Sequence, residues 1–358
     1  PIKEPEYLKE IKDADINRNS PECGMQEAFL KIFSSPEVAD KAWVYEQYDS
    51  MVQTNTVVGA GEQDGSVVRI KENGKALALS VDCNARFCYV NPRIGAAMAV
   101  MESGRNVAIR GAKPLAITDC LNFGNPMNPE VMWQFKEATD GIKEACLALN
   151  TPVVSGNVSL YNETEGVSVY PTPTIGMVGL VDDLKNIVDS RFKSEGSVIL
   201  LLGSTSSSFA CSLYLKRICK KVGGVLEDPD FRAELKLWEL MQTLIKEGVV
   251  RSAKDVNVGG VAIALAKMCA ISKCGVEVKS GFGDIRDIFE ESPSRAIIEV
   301  SIEDVETVSR ESMRLGIECF RLGFTGGDRF IVDDIVMPLE ELKSIYFESF
   351  VNIVTADE

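Results

Sequence analysis

The chain has 358 residues, 45% of them hydrophobic and 25% charged, with a formal charge of −15. Such a composition belongs to a folded chain long enough for two domains, and the acidity argues against nucleic acid as a partner, since a nucleic-acid binder needs a basic surface. There is no histidine, which excludes Ser/His/Asp and Cys/His mechanisms and leaves proton transfer to carboxylates, lysines or groups from another chain.

Residues 1–47 are charged and mixed, with helices expected over MQEAFLKIFSS and PEVADKAWVYEQYD and no strand pattern. This stretch reads as a linker arm. From 48 to 185 strands and helices alternate: strands SVVRI and ALALSVD, a helix around GAAMAVMESGRN, a strand AIRGAKPLAITD, a long helix from Pro129 to Leu149, and strands TPVVSGN and TIGMVGLV. In the long helix Val131, Phe135, Ala138, Ile142, Ala145 and Leu149 recur at helical spacing and are expected to form its buried face. A second domain, 186–358, opens on the buried strand SVILLLG. It continues with a helix over the 230s and 240s, a Gly-Gly pair opening a helix in DVNVGGVAIALAKMCAIS, the strand AIIEVSI, a helix over 303–314 and the strand DRFIVDDI. The alternation predicts a mixed α/β, or α+β, fold.

The ten cysteines are scattered, without a CxxC pair or a zinc spacing. No apolar run approaches the length of a membrane span. A cytoplasmic chain with reduced thiols, most of them packing as small core residues, is expected. Cys120 is the one to examine for reactivity, although nothing here can activate it as a histidine would.

Two strings stand out: AITDCLNFGNP at 116–126 and VVSGNVSLYNETEG at 153–166, with Asp119 and Gly156 set 37 positions apart. Each follows an apolar run and then turns to Asp, Asn, Gly and Ser. Magnesium takes hard oxygen ligands and keeps several waters, so a protein offers one or two oxygens and substrate phosphates supply others. Asp119, Asn122, Asn157 and Asn162 are such donors; Gly124 and Gly156 let a backbone approach a phosphate, and Ser159 can donate a hydroxyl. The plainer alternative is that these residues are turn formers between strands and helices.

The stretch from WVYEQYD through VDCNARFCYVNPRIG, GAKPLAITDCLNFGNP, EVMWQF, TPVVSGNVSLYNETEG and YPTPTIGMVGLVDDL resembles the carboxy-terminal half of phosphoribosylformylglycinamidine synthase subunit II. SAKDVNVGGVAIALAK, FEESPSRAIIEV and LGFTGGDRF echo it more weakly in the second domain. The resemblance implies an aminoimidazole ribonucleotide synthase-like amino-terminal domain followed by its carboxy-terminal α/β domain. It also implies that this sequence, opening at Pro1, is the second copy of a duplicated enzyme whose first copy carries the catalytic histidines. Asp119 and Gly156 then correspond to ATP-binding residues, Asn157 to a Mg²⁺ ligand and Ser159 to a contact with formylglycinamide ribonucleotide. No catalytic residue is assigned to this half. Lys113, Asn122, Asp82 and Arg86 lie in similar strings and are candidates for lining the same cleft.

The implied reaction is ATP- and Mg²⁺-dependent conversion of the substrate amide to an amidine through an iminophosphate. Ammonia would come from a glutaminase subunit, with a small accessory subunit and the amino-terminal half as further partners. A lone half is expected to expose an apolar sheet edge and pair with itself. Two departures accompany the resemblance: Lys254 stands where relatives carry histidine in SAHDVSxGG, and GSTSSSF (203–209) replaces a glycine-bearing phosphate loop. Two other readings stay open: a structural nucleotide-binding half, and another enzyme of the superfamily such as aminoimidazole ribonucleotide synthase, thiamine monophosphate kinase or selenophosphate synthase.

Overall fold

In strand β3 (Lys75–Asp82) the usual alternation is inverted in size: the small Ala76, Ala78 and Ser80 are buried, whereas Leu79 and Val81 are exposed. Small inward residues let a helix approach the sheet closely, and the large ones are left for something on the other side. The computed structural model describes residues 2–12, 23–61, 63–206 and 209–356. Its first sheet contains β1 (Thr56–Val58), β2 (Ser66–Ile70), β3, β4 (Lys113–Asn122), β5 (Val153–Ser159) and β8 (Thr172–Val181), in the order β1-β2-β3-β8-β4-β5. Neighbours run antiparallel except β4 and β5, which are parallel. A two-stranded hairpin, β6 (Glu163–Thr164) and β7 (Val167–Ser168), stands between β5 and β8.

One face of this sheet is covered by α5 (Pro92–Ala108), with α6 (Pro129–Leu149) against it. Both helices start as their sequences dictate, with proline in the first turn and an asparagine cap: Asn91 Oδ1 accepts from Ile94 N–H at 3.1 Å, and Asn128 Oδ1 from Glu130 N–H at 2.9 Å. The short α4 (Ala85–Val90) joins β3 to α5. The other face of the sheet is open and apolar on β3, with Leu79 and Val81 exposed.

The second sheet is ordered β10-β12-β9-β13-β11-β14-β15: β9 (Val198–Leu202), β10 (Ser252–Asp255), β11 (Val276–Val278), β12 (Ala296–Val300), β13 (Cys319–Thr325), β14 (Arg329–Val332) and β15 (Ile335–Pro338). It is antiparallel apart from β11 with β14. Helix α9 (Gly260–Ala270) is nearly all buried, and α11 (Leu339–Val354) packs beside it. The short α7 (Leu213–Arg217) and the peripheral α10 (Val305–Leu315) complete this unit. Helix α8 (Phe231–Lys246) joins the two cores: Trp238 belongs to the first, and Leu240, Met241 and Leu244 to the second.

The amino-terminal segment does more than connect. Helix α2 (Met25–Phe33) puts Ala28, Phe29, Ile32 and Phe33 into the core of the second sheet, while Tyr7 of α1 (Tyr7–Lys12) stacks on Tyr89 at 4.5 Å. The expected second helix of this segment shrinks to α3 (Ala42–Tyr45), because the Asp40 carboxylate accepts from Ala42 N–H at 2.8 Å and starts a fresh turn. The expected strand AIRGAKPLAITD likewise begins only at Lys113: residues 108–111 finish α5 and turn at Gly111, whose φ of +88° favours glycine.

Candidate functional site at the β4–β5 edge

The two distinctive strings are strands rather than loops. β4 and β5 pair in parallel register, which sets Asp119 beside Gly156, Cys120 beside Asn157 and Asn122 beside Ser159. Separated by 37 positions in sequence, the strings become one ladder. Because paired residues share a face and successive residues alternate, the four predicted site residues divide between two faces.

Asp119 and Gly156 lie on the helix-covered face. A Cβ on Gly156 would meet the Asp119 carboxylate, so glycine leaves room for that carboxylate to lie over the strand. Burial pushes the Asp119 carboxyl above its ordinary value. Asn157 and Ser159 lie on the open face: Asn157 Nδ2 is 3.8 Å from Cys120 Sγ, and Ser159 Oγ is 3.4 Å from Asn162 Oδ1. Asn162 also donates to the Phe123 and Ser159 carbonyls at 3.0 and 2.9 Å, which fixes the turn after β5. Asn122 donates to the Cys120 carbonyl at 3.0 Å. Strand β5 is a sheet edge, exposed along nearly its whole length.

Of the further candidates, Lys113 sits at the opposite end of β4 from Asn122, nine residues away, roughly 30 Å. Asp82 is level with Asp119, each paired with Ile175 of β8 from opposite sides, so roughly 10 Å separates them on one face. Asp82 turns towards α5, where its Oδ1 accepts from Asn106 Nδ2 at 2.9 Å. Arg86 is buried between the two units, its Nε donating to the Cys211 carbonyl at 2.9 Å and its Nη2 lying 3.3 Å from Glu291.

Around these residues is a polar joint that periodicity alone did not single out. Arg105 pairs with Glu234 at 2.7 Å and with Asp255, all three buried. Asn257 donates to Glu102 at 2.9 Å. Lys254 pairs with Asp64, which also accepts the Asp255 N–H at 3.0 Å. Burial alone would raise the Asp64 carboxyl, but Lys254 and Arg110 outweigh it and hold it below its ordinary value. Asp82 has no such cation: burial, then the charge of Asp255, push it up to about 7. Glu102 is raised for the same kind of reason, burial first and Asp82 next. The sequence signal was present, since Glu102, Arg105 and Asn106 interrupt a run of small apolar residues on a buried helix.

The GSTSSSF segment turns at Gly203 with φ +96°. Ser206 N–H donates to Ser292 Oγ at 3.1 Å, and Arg295 donates to Thr205 Oγ1 at 3.2 Å beside its Glu290 partner. A glutamate in this position suits a phosphate poorly; Ser207 and Ser208 lie outside the described residues.

Two family models match the chain: the N-terminal domain of AIR synthase related proteins over residues 62–181, and their C-terminal domain over 194–334. The chain belongs to the AIR synthase related family. A phosphoribosylformylglycinamidine synthase subunit PurL from Sulfurovum sp. (strain NBC37-1) is 53% identical over 357 residues, all of this chain and 48% of that protein. The chain thus spans about half the length of the curated relatives it matches. Among solved structures, T. maritima PurL complexed with FGAR superposes with a TM-score of 0.72 at 18% identity, covering 88% of this chain and 52% of that one. The ATP complex of T. maritima PurL gives 0.69 at 19%, covering 88% and 51%. These likenesses establish the mixed α/β fold.

The donors at the β4–β5 edge are oxygens and amides, the hard ligand type that magnesium takes. Asn157 offers one neutral amide oxygen, and among the described residues no three acidic or thiol side chains meet as a metal cage. The remaining ligands would be phosphate oxygens, waters or groups from elsewhere. Lys254, at the position where the motif of the resemblance carries histidine, is committed to Asp64.

Proposed function

We propose that this chain is the carboxy-terminal half of a synthetase that converts formylglycinamide ribonucleotide to its amidine with ATP and Mg²⁺, and that it supplies nucleotide, metal and substrate contacts. The observation carrying the proposal is the β4–β5 ladder at a free sheet edge, beside an open apolar face. The open face with its large residues calls for a covering domain, and a site beside that face is completed by whatever covers it. The covering domain is read as the other half of the same enzyme, or a second copy when this chain is alone.

In this reading Asp119 and the backbone at Gly156 hold the nucleotide, Asn157 supplies a metal ligand, and Ser159 donates its hydroxyl to the ribonucleotide. Bound Mg²⁺ neutralises phosphate charge; the chain's own contribution is position and hydrogen bonding. No side chain here is assigned an acid/base role, in keeping with the missing histidine. A glutaminase subunit delivers ammonia and a small accessory subunit completes a cytoplasmic complex; the subunit naming of the relatives supports an assembly.

The test is reconstitution. This chain alone, with ammonia, Mg-ATP and formylglycinamide ribonucleotide, is expected to give no turnover; adding the separately produced other half of the Sulfurovum relative should restore it. Asp119→Asn and Asn157→Ala should each abolish the restored activity. Turnover by the chain alone refutes the composite site.

A further inference from the structure

The two strings of the site leave the sheet by different routes. The first runs from β4 through residues 123–128 into α6, and the second runs from β5 into the hairpin β6–β7 and returns through Tyr170 to β8. With two residues in each strand, the hairpin is too short to hold its own place. Two non-glycine residues of this excursion, Tyr161 and Glu165, also carry positive φ, +61° and +52°, so its shape depends on what it is anchored to.

One anchor is the end of the ladder itself. Tyr161 N–H donates to the Gly124 carbonyl at 2.9 Å and Val169 N–H to the Asn162 carbonyl at 3.0 Å, while Asn162 Nδ2 lies 3.3 Å from Ser159 Oγ. The other anchor is a stack of three tyrosines. Tyr89 has Tyr7 at 4.5 Å and 6°, and Tyr170 at 4.1 Å and 13°; two rings this close and nearly parallel to a third must lie on its opposite faces. Tyr7 is also tied to the first route. Its hydroxyl donates to the Tyr89 carbonyl at 3.0 Å and accepts from Gln134 Nε2 of α6 at 2.8 Å, and nearby Lys3 N–H donates to the Pro129 carbonyl at 3.1 Å. One side chain of the amino-terminal segment is therefore linked to the exits of both strings, directly to α6 and through one ring to the hairpin.

We propose that Tyr7 is a positioning residue for the substrate contact assigned to Ser159, acting through Tyr89 and Tyr170 on the hairpin and through Asn162 on the Ser159 hydroxyl. The inference rests on the reading of Ser159 in the proposed function. The ring carries the effect, because the stack reaches the hairpin, whereas the hydroxyl reaches only α6 and the Tyr89 backbone. Losing the ring frees Tyr170, which is already 41% exposed, and lets the Ser159–Asn162 turn sample orientations that do not meet the ribonucleotide. Binding of that substrate weakens. The nucleotide and metal contacts assigned to Asp119 and Asn157 stay, because the β4–β5 register fixes them.

Hydrogen exchange of the whole chain, read by mass spectrometry, tests the coupling without the reaction. In Tyr7→Ala the amides of 161–170 should exchange roughly two- to ten-fold faster, the factor an aromatic pair supplies, and those of β9 should keep their rates; Tyr7→Phe should match the parent. In the enzyme reconstituted with the other half of the Sulfurovum relative, Tyr7→Ala should raise the KM for formylglycinamide ribonucleotide by a similar factor and leave kcat and the KM for ATP unchanged, with Tyr7→Phe again like the parent. Tyr170→Ala, which leaves the amino-terminal segment intact, should reproduce both changes and decides the matter if Tyr7→Ala folds poorly. Unchanged exchange over 161–170 overturns the coupling, and faster exchange with an unchanged KM overturns the positioning of Ser159. A parent chain inactive on reconstitution overturns the reading beneath the inference, and that failure shows in the parent rather than in the variants.

Discussion

Replacing Asp82 by Asn should make the chain less sensitive to pH, and more stable at neutral pH than the parent. Asp82 Oδ1 accepts from Asn106 Nδ2, but Asp82 Oδ2 and Asn106 Oδ1 are both buried without a hydrogen-bond partner. Burial, then the nearby Asp255 charge, push the Asp82 carboxyl from an ordinary 3.8 up to about 7, so the buried group holds its proton below that pH. The native chain therefore keeps a proton that the unfolded chain gives up near pH 4. Its stabilising effect is full below that pH and is lost as pH rises through about 7.

The rise spans about three pH units, each worth ~1.4 kcal/mol, for a ceiling of about 4 kcal/mol. Glu102 and Asp255 titrate with Asp82, so about 2 kcal/mol is the working expectation. An asparagine at 82 accepts from Asn106 as before and carries no charge to bury at any pH. Urea midpoints between pH 4.5 and 7 measure the effect as a difference between parent and variant, in which the titrations of Glu37 at the lower edge and Lys267 at the upper edge cancel. The parent should lose stability across the window about 2 kcal/mol more steeply than Asp82→Asn. An equal slope, or a variant less stable at pH 7, refutes the buried-proton reasoning.

Three further outcomes follow from the same buried groups. Arg105→Met strands Glu234 and Asp255 and should cost about 3–5 kcal/mol, lowering the calorimetric melting temperature by roughly 10 °C; a change under 1 kcal/mol would show the triad to be dispensable. Gly104→Ala drives a Cβ into the Trp238 ring and should cost about 1–3 kcal/mol by overpacking, read from the urea midpoint. Burial, then the Lys254 charge, hold Lys267 down to about 7, so the native chain loses stability as pH falls from 10.5 towards 7. Lys267→Met should gain about 2 kcal/mol at pH 7 and nothing near pH 10.5, by the same melts.

The strands and helices that build the first sheet were legible because their patterns are local. Pro129 with Asn128 announces α6, and the alternation in ALALSVD announces β3. What sequence could not give was the pairing. Asp119 and Gly156 come together only because β4 and β5 are parallel neighbours, a fact carried by the whole sheet order. Short strands such as β11 escaped for want of length, and β13 because its glycine and exposed aromatics break the alternation. Helix α2 reads as part of an arm in sequence, since nothing in MQEAFLKIF says which core will take Phe29 and Phe33.

The division of the site between two faces narrows what a ligand must do in the proposed reading. A group touching both Asp119 and Asn157 has to pass round the edge of the sheet. That route exists only at a terminal strand, and β5 is terminal. It needs the helix-side face of that strand to be bare beside Asp119, and Gly156 makes it bare. A side chain at 156 would close the passage as well as crowd the carboxylate. Extending the sheet with a further strand on β5 would close it too, so the covering domain must meet this half through the open face and leave the β5 edge accessible to the nucleotide.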